Sequence, residues 1–391
     1  MKKKIITIMI ISSVMIIMTV STNAQKQSST KNNAFWEDYI FYHIIGKNEV
    51  EALAIDKDYA EANGYYDSNL FLKGKDYHPK KKIAFSFSAS VKHNGKIYKL
   101  THLPDYKSSN YFEKHDLRII PNKGQNFICP SATLYSQYSN GNGLPLNYLN
   151  SITTIILPDT LEFIGSGSLA YCDKLEEVVF AKKYDYLTFG NYVFGSTHIK
   201  SIQIPEGTYK LGDCALGEIP SVSLPKSLKK IGANVINNNT KKVTIAPGNS
   251  KFKMRDGILY SSDESVLYGA SAKVPKNVVI PKKVKEIKTC AFAFSNIKTV
   301  TFKSKYFSSI SPGAFANCRK LTKISGLKEI NYIEYAAFAG CEKLYDIGKP
   351  TILSYVGEAA FWDTKKPEIK LFSQAKVKKY AFEKPELEPE E

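Results

Sequence analysis

One sequence unit of about 23 residues recurs through the C-terminal part of the chain, and this repeat constrains the fold more than any other feature. The unit reads Ile-Pro-x-x-Val-x-x-Ile-Gly-x-x-Ala-Phe-x-x-Cys-x-x-Leu-x-x-Ile. Its phenylalanine slot recurs at intervals of 23 residues, and 21 for the last, at Phe292, Phe315, Phe338, Phe361 and Phe382. A single unit cannot bury its apolar side alone, so stacked units must close one continuous core. The sequence therefore predicts a solenoid, although 391 residues would otherwise suggest two or three compact domains.

Apolar and polar residues alternate within each unit, as in Ile297-x-x-Val300-x-Phe302. Such alternation is typical of a half-buried strand, and each strand pairs with its copy in the next coil. We therefore expect a β-rich solenoid of about nine coils, with the repeated phenylalanines stacked into a spine away from the main strand. Gly165 and Gly232 fit tight corners where φ is positive or the chain runs close to itself.

Two neighbouring units show the full pattern, at Ala314-Phe315-Ala316-Asn317-Cys318-Arg319-Lys320-Leu321 and Ala337-Phe338-Ala339-Gly340-Cys341-Glu342-Lys343-Leu344. Over about 150–382 the chain resembles the BspA-like class of leucine-rich repeats, found in surface proteins of anaerobic bacteria and some protozoa. The resemblance implies a BspA-type solenoid that binds host extracellular proteins or other microbes. It implies no particular ligand.

The repeat and the composition together divide the chain into five segments. We expect a signal peptide over 1–24, a disordered leader over 25–34, a β-rich cap with irregular first coils over 35–150, the solenoid over 151–382 and an acidic disordered tail over 383–391. The signal peptide is indicated by three early lysines, an apolar run of 16 residues and small residues up to Ala24. Because a spanning helix needs roughly 20 apolar residues, cleavage is favoured over a membrane anchor.

The period is interrupted once, at about 249–275, where two short apolar runs flank a Ser-Ser-Asp-Glu-Ser turn. This pattern predicts a β-hairpin that projects from a coil, and a similar insert recurs in the family that the chain resembles. In the cap, Val91 to Leu103 resembles the family's lead-in segment and contains a hairpin turn at Asn94-Gly95. Glu49 to Asn63 is compatible with a short helix.

The cysteines and histidines offer little catalytic or metal-binding chemistry. Cys318 and Cys341 share a slot in neighbouring coils about 5 Å apart, so a disulfide is geometrically possible. Since that slot also accepts Ser and Thr, we favour free buried thiols that bond a neighbouring backbone group. Five of the six histidines precede the solenoid without the spacing of a metal-ligand pair, and no nucleophile or phosphate-binding motif occurs. We therefore expect no enzyme activity, no cofactor and no metal site.

Positive charge is the clearer signal, because residues 151–382 carry +14 of the chain's +17. We expect a basic flank on the stacked coils, formed by Lys226, Lys229, Lys230, Lys282, Lys283, Lys285 and Lys288. Such a flank would attract anionic glycans or an anionic surface, and the alternative is a lysine face that keeps the protein soluble. Since the charge is nearly all lysine and export is predicted, no nucleic-acid partner is expected.

The outward positions of the main strand form a second candidate surface, because curved repeat arrays bind partners across such a face. Its residues are Lys200, Gln203, Lys241, Lys242, Lys298, Thr301, Lys323, Tyr345 and Asp346.

The favoured function is an exported binding or adhesion protein with a protein or glycan ligand, at the cell surface, secreted or periplasmic. It has no transmembrane segment after signal cleavage. The alternatives are a structural envelope protein without external ligand and an anionic-glycan binder that uses the basic flank.

Overall fold

The computed structural model describes residues 34–66, 82–105, 143–304, 307–348, 350–365, 367, 371 and 374–383. The predicted signal peptide, the predicted leader up to residue 33 and all but the first residue of the predicted tail lie outside these ranges. Ala34, the last residue of the predicted disordered leader, is instead the first residue of a strand. Across the described ranges, no helix is both long enough and apolar enough to cross a membrane.

The chain consists almost entirely of short strands. The N-terminal elements are β1 (Ala34–Glu37), β2 (Ile40–Gly46), β3 (Glu49–Asp56), α1 (Lys57–Ala62), β4 (Ala84–Ser86), β5 (Ser90–His93), β6 (Lys96–Leu103), β7 (Gly143–Pro145) and a 3₁₀ turn (Leu146–Tyr148). The first coils contain β8 (Thr154–Ile156), β9 (Phe163–Ile164), β10 (Glu177–Val179), β11 (Lys183–Phe189), β12 (Ser201–Gln203), β13 (Glu206–Leu211), β14 (Ser221–Leu224), β15 (Lys230–Ile231) and β16 (Lys242–Ile245). The remaining strands are β17 (Phe252–Arg255), β18 (Ile258–Ser261), β19 (Val266–Ala270), β20 (Asn277–Ile280), β21 (Glu286–Ile287), β22 (Thr299–Phe302), β23 (Ser309–Ile310), β24 (Lys323–Ser325), β25 (Tyr332–Ile333), β26 (Tyr355–Val356) and β27 (Lys376–Val377).

Each coil of the solenoid has three sides. The first strand of a coil pairs in parallel with its copies and builds the main sheet, in the orders β4-β8-β10, β12-β14-β16 and β20-β22-β24. The second strand builds the second sheet, which runs β6-β9-β11-β13-β15 early in the chain and β23-β25-β26-β27 late. A turn on the third side carries the phenylalanine slot. The predicted β solenoid of about nine coils with a 23-residue spacing is confirmed.

The repeated phenylalanines stack into the expected spine on the third side. Neighbouring ring centroids lie 5.1, 5.4, 5.3 and 5.4 Å apart along Phe292, Phe315, Phe338, Phe361 and Phe382. The interplanar angles stay between 5° and 22°, so the rings are close to parallel. The spine repeats because each turn donates a backbone N–H to the next, as Phe338 does to Ala360 at 2.8 Å. It is therefore the packed seam that joins the late coils.

The cysteines of the repeat join neighbouring turns by hydrogen bonds and not by a disulfide. Both Cys318 and Cys341 are free and fully buried. Their thiols donate to the carbonyl oxygens of Phe292 and Phe315 in the preceding coil, each at 3.0 Å. Burial raises the pKa of Cys341 well above its ordinary value, so that thiol stays protonated. The slot thus supplies a hydrogen-bond donor between coils, as its tolerance of Ser and Thr indicates.

The Ile-Gly corners need glycine because two coils approach each other closely there. A Cβ on Gly165 would lie 2.1 Å from the carbonyl oxygen of Pro104, and one on Gly232 would lie 2.5 Å from the backbone N of Asp213. Neither glycine has a positive φ, so close approach and not backbone conformation explains the residue.

The side chain of the residue after each corner accepts a hydrogen bond from a backbone N–H of the next coil. We call this series of hydrogen bonds the corner ladder. Oδ1 of Asp105 accepts from the N–H of Ser166 at 2.8 Å, and Oγ of Ser166 accepts from the N–H of Asn191 at 3.1 Å. Oδ1 of Asn191 accepts from Asp213 at 2.7 Å, and Oδ1 of Asp213 accepts from Ala233 at 2.7 Å. Backbone donors that the second strands leave free are thereby satisfied.

The cap covers the first end of the second sheet. β1, β2 and β3 form an antiparallel meander, and β3 pairs in parallel with β6, which leads into the first coil at β9. β5 and β6 are joined by the predicted turn, where Asn94 has φ 47° and Gly95 has φ 79°. Positive φ at both turn residues matches the twist of a two-residue hairpin. A solenoid end needs such a cover because its last strand would otherwise be unpaired.

The helix considered for Glu49 to Asn63 is wrong over its first half. Strand β3 occupies Glu49–Asp56, with Val50, Ala52 and Ala54 buried on one side. That period of two is the mark of a strand. The helix is confined to Lys57–Ala62, and it starts at Asp56, whose side chain accepts from the N–H of Tyr59 at 2.8 Å.

The sequence predicts an insert that projects from a coil. In the structure the insert instead divides the apolar core of the solenoid in two. The predicted hairpin exists as β18 and β19, yet β17 adds a third antiparallel strand and β19 pairs in parallel with β21. Leu259 packs into the first apolar core together with Phe252. Its neighbours Ile258 and Tyr260 face the second core. β18 is therefore a wall with both faces buried, and the solenoid has an N-terminal and a C-terminal half.

Candidate binding surfaces

The outer face of the main sheet presents polar side chains on successive coils. In β22, Val300 and Phe302 are buried while Thr299 and Thr301 are half-buried on the opposite side. Because equivalent residues of neighbouring strands are paired in register, Asn277, Thr299 and Lys323 form one outward row. The apolar residues of each strand close the core, and the outward rows are left to contact a partner.

The predicted binding face is divided between the two halves. Lys200, Gln203, Lys241 and Lys242 lie at or beside β12 and β16, and all four are exposed. The second-half members lie at or beside β22 and β24 and are exposed or half-buried: Lys298, Thr301, Lys323, Tyr345 and Asp346. Within the described ranges β16 and β20 do not pair, so the nine residues form two patches and not one row.

The two patches differ in charge. Lys323 and Asp346 form an ion pair at 2.9 Å, and the hydrogen bond that Lys323 donates to Asp346 raises the pKa of Lys323. By contrast, no described carboxylate lies within 4.0 Å of the ammonium groups of Lys200, Lys241 or Lys242. The first-half patch therefore keeps its positive charge, and the second-half patch is close to neutral.

The basic flank does not form the continuous ridge that its sequence pattern predicts. Its first members follow β14 and its later members follow β20, but β17, β18 and β19 of the insert lie between the two groups. The insert also brings Glu264, whose carboxylate binds Lys253 and Arg255, each at 2.7 Å. In the later group, Lys288 is paired with Glu286. The flank is thus two separate lysine groups with carboxylates between them: Lys226, Lys229 and Lys230, and Lys282, Lys283, Lys285 and Lys288.

The sequence profile of the BspA type leucine-rich repeat region matches six copies in this chain, over residues 146–263 and 271–388. The chain belongs to this family. The second matched range starts just after the insert, so the family's repeat is present in both halves. No curated protein sequence matches the chain.

The chain is similar to solved structures of bacterial leucine-rich repeat proteins. The pneumococcal vaccine antigen PcpA has a TM-score of 0.53 at 17% identity, covering 88% of this chain and 83% of its own. A leucine-rich repeat protein from Eubacterium ventriosum has a TM-score of 0.45 at 19% identity, covering 73% and 89%. A leucine-rich cell surface protein from Faecalibacterium prausnitzii has a TM-score of 0.43 at 16% identity, covering 88% and 96%. At these identities the likeness to PcpA concerns the fold alone.

The histidines of the cap make local contacts with carboxylates. Nδ1 of His93 lies 3.3 Å from Glu37, and Nδ1 of His43 lies 3.7 Å from Glu51. In the described ranges no three His, Cys, Asp or Glu side chains are placed to hold a metal ion. His78 and His115 lie outside the described residues.

Two tyrosine pairs on the outer face of the second sheet were missed by reasoning from the sequence. Tyr186 and Tyr209 have ring centroids 5.3 Å apart, and Tyr332 and Tyr355 have centroids 6.1 Å apart. Both pairs are 23 residues apart in sequence, so a search for exposed aromatic residues at the repeat period would have found them. The predicted binding face took its residues from the outward positions of the main strand, and these tyrosines lie on the second strand of the coil.

Proposed function

We propose that this chain is an exported, non-enzymatic binding or adhesion protein that presents its main-sheet face to host extracellular proteins, other cells or glycans. The observation that carries the proposal is the first-half patch, where Lys200 and, two coils later, Lys241 and Lys242 are exposed with no described carboxylate as an ion-pair partner. Unpaired charge on a rigid face steers and selects a partner, because no internal ion pair competes with it. PcpA, which shares the fold, is a pneumococcal vaccine antigen, and this supports an exposed location for the present chain.

Binding is tested with the purified chain on a panel of extracellular matrix proteins and glycans, measured by biolayer interferometry. For each matrix protein found to bind, the double variant Lys241→Glu/Lys242→Glu is expected to weaken binding at least tenfold. The matched control Lys282→Glu/Lys283→Glu reverses two exposed lysines outside this patch and is expected to change affinity less than twofold. The proposal is contradicted if the wild type binds no ligand of the panel, or if both double variants lose affinity equally.

Export is tested separately, because it rests on the sequence of residues 1–24. Protease treatment of intact cells should remove the protein if it is displayed at the surface, and the culture supernatant should hold it if it is secreted. A periplasmic pool that resists protease would favour the structural envelope role, since adhesion requires display to the outside.

A further inference from the structure

At two places the second sheet carries a tyrosine, a second tyrosine and a lysine on three successive coils. In the N-terminal half it consists of Tyr186, Tyr209 and Lys230, whose Nζ lies 5.6 Å from the centroid of the Tyr209 ring. In the C-terminal half Tyr332 is in register with Tyr355, which is in register with Lys376. We call these the first and the second Tyr-Tyr-Lys set.

The two sets share their sequence spacing but not their register. Tyr332, Tyr355 and Lys376 are in register with one another, whereas Lys230 is in register with Lys210 and Thr188, which lie one and two residues beyond Tyr209 and Tyr186. In each set the tyrosines are 23 residues apart and the lysine follows 21 residues later. The leading tyrosines are strongly exposed, Tyr186 at 51% and Tyr332 at 42%. The spine phenylalanines are core residues, whereas these rings add nothing to the interior. Paired aromatic rings exposed on a rigid surface mark an interaction site.

The chemistry of a set fits a sugar that carries an acidic group. An exposed tyrosine face packs against the C–H face of a pyranose ring, and the phenol hydroxyl can hydrogen-bond to sugar hydroxyls. A lysine beside the ring supplies a charge-assisted hydrogen bond to a carboxylate or sulfate. In the first set Lys210 is in register with Lys230, and Lys229 is adjacent. The exposed carboxylates on the two tyrosine-bearing strands are Asp185 and Glu206.

The second set is less positive than the first. Tyr355 lies near Glu334 and Glu358, whose charges add to the effect of burial in raising the pKa of its hydroxyl. Its lysine, Lys376, is exposed at the end of the second sheet. The first set should therefore bind an anionic sugar more tightly than the second.

We propose that the two Tyr-Tyr-Lys sets are subsites for an acidic polysaccharide, whose sugar rings pack on the tyrosines and whose carboxylates or sulfates bind the lysines. A polymer repeats its sugars, so one chain that engages both subsites gains affinity through effective concentration. The proposal adds a second surface to the protein and does not depend on the main-sheet face.

The test measures binding of the purified chain to immobilised heparin, polygalacturonate and neutral dextran. The wild type is expected to bind at least one acidic polymer and not dextran. Tyr186→Ala/Tyr209→Ala should weaken that binding at least tenfold, and Tyr332→Ala/Tyr355→Ala at least threefold. The matched control is Phe294→Ala, which removes an aromatic ring that is 48% exposed on the third side of the solenoid and should change affinity less than twofold.

Two further variants separate ring packing from charge. Tyr186→Phe keeps the ring and should retain at least a third of the wild-type affinity. Lys230→Gln should weaken binding several-fold and flatten its dependence on salt, because exposed charges are screened as ionic strength rises. Circular dichroism and the melting temperature verify that each variant is folded.

The proposal is overturned if the wild type binds neither acidic polymer, if it binds dextran equally well, or if the tyrosine variants bind like the wild type. The last result would assign the affinity to scattered lysines alone. Preferential binding of single-stranded RNA over both polysaccharides would also overturn it. Because Lys241→Glu/Lys242→Glu should leave polysaccharide binding unchanged, failure here and failure of the main-face proposal are distinguishable.

Discussion

Phe338 lies in the middle of the phenylalanine spine, and truncating it to alanine tests how strongly the spine joins the coils. Its side chain is fully buried and is stacked on both sides, at 5.4 and 5.3 Å between ring centroids. Truncation of a buried phenylalanine costs about 3–5 kcal/mol, through lost transfer free energy and the cavity left behind. At a urea dependence of about 3 kcal/mol per M, the unfolding midpoint should fall by about 1–2 M.

The assay follows Trp362 fluorescence during urea unfolding, since this residue packs against the alanines of the same side of the solenoid. Two matched variants bracket the effect. Phe294→Ala removes a ring that is 48% exposed on the same side and should cost less than about 0.5 kcal/mol. Phe382→Ala removes a half-buried ring at the end of the spine, and should cost less than half as much as Phe338→Ala. A loss below about 1 kcal/mol for Phe338→Ala, or equal losses for all three variants, would refute the role given to the spine.

Three other predictions concern the corners and the insert. Gly165→Ala should destabilise the fold by about 2 kcal/mol or more, because the new Cβ would lie 2.1 Å from the oxygen of Pro104, whereas Gly195→Ala meets no heavy atom closer than 3.5 Å and should be tolerated. Similar melting temperatures for the two glycine variants would contradict this. Asn191→Ala should cost about 0.5–1.5 kcal/mol in urea unfolding, because it removes the acceptor of an exposed hydrogen bond to the next coil, and an unchanged unfolding midpoint would show that water replaces the bond. The pKa of Glu264 is lowered, first by its hydrogen bond from Lys253, so its stabilisation is full above the ordinary glutamate pKa and is lost as pH falls through the lower folded-state value. The difference in melting temperature between wild type and Glu264→Gln should therefore be largest near pH 7 and shrink towards pH 3, and a constant difference would be inconsistent with this linkage.

The features that could be predicted from the sequence are those fixed by the repeat period. The spacing of Phe292, Phe315 and Phe338 determines the spine, because equivalent residues of a solenoid stack directly above one another. The slot is occupied by Cys, Ser or Thr in different coils, which indicates a side chain that donates a hydrogen bond to the backbone. The thiols of Cys318 and Cys341 donate to backbone carbonyl oxygens in this way.

The insert could not be placed by the same reasoning, because its strands leave the period. Its hairpin is visible in the sequence, but the position of β18 depends on which of the two apolar cores the side chains of Leu259 and Tyr260 pack into. Three consecutive buried residues in a strand, here Ile258 to Tyr260, are consistent with a wall between two cores and with a coil strand alike. The division of the basic flank could not be predicted for the same reason, since the insert separates its two groups of lysines.

The candidate surfaces were only half predictable. Alternation within the main strand identifies which residues point outward, and those residues are exposed or half-buried. Their charge balance depends on pairs formed between coils, such as Lys323 with Asp346, which no period specifies. The Tyr186–Tyr209 pair lies at a local irregularity of β11 against β13, where the register shifts both before and after Leu187. Such a shift is not visible in the residue types.

The wall formed by β18 has a consequence for how proteins of this kind change in length. In an uninterrupted solenoid, the gain or loss of a coil moves every later coil relative to every earlier one. Here each core ends on its own face of the same strand, so that a duplicated or deleted coil alters the reach of one half only. The two Tyr-Tyr-Lys sets lie on opposite sides of this wall, and recombination between repeats can therefore change the distance between them without disturbing the internal geometry of either set.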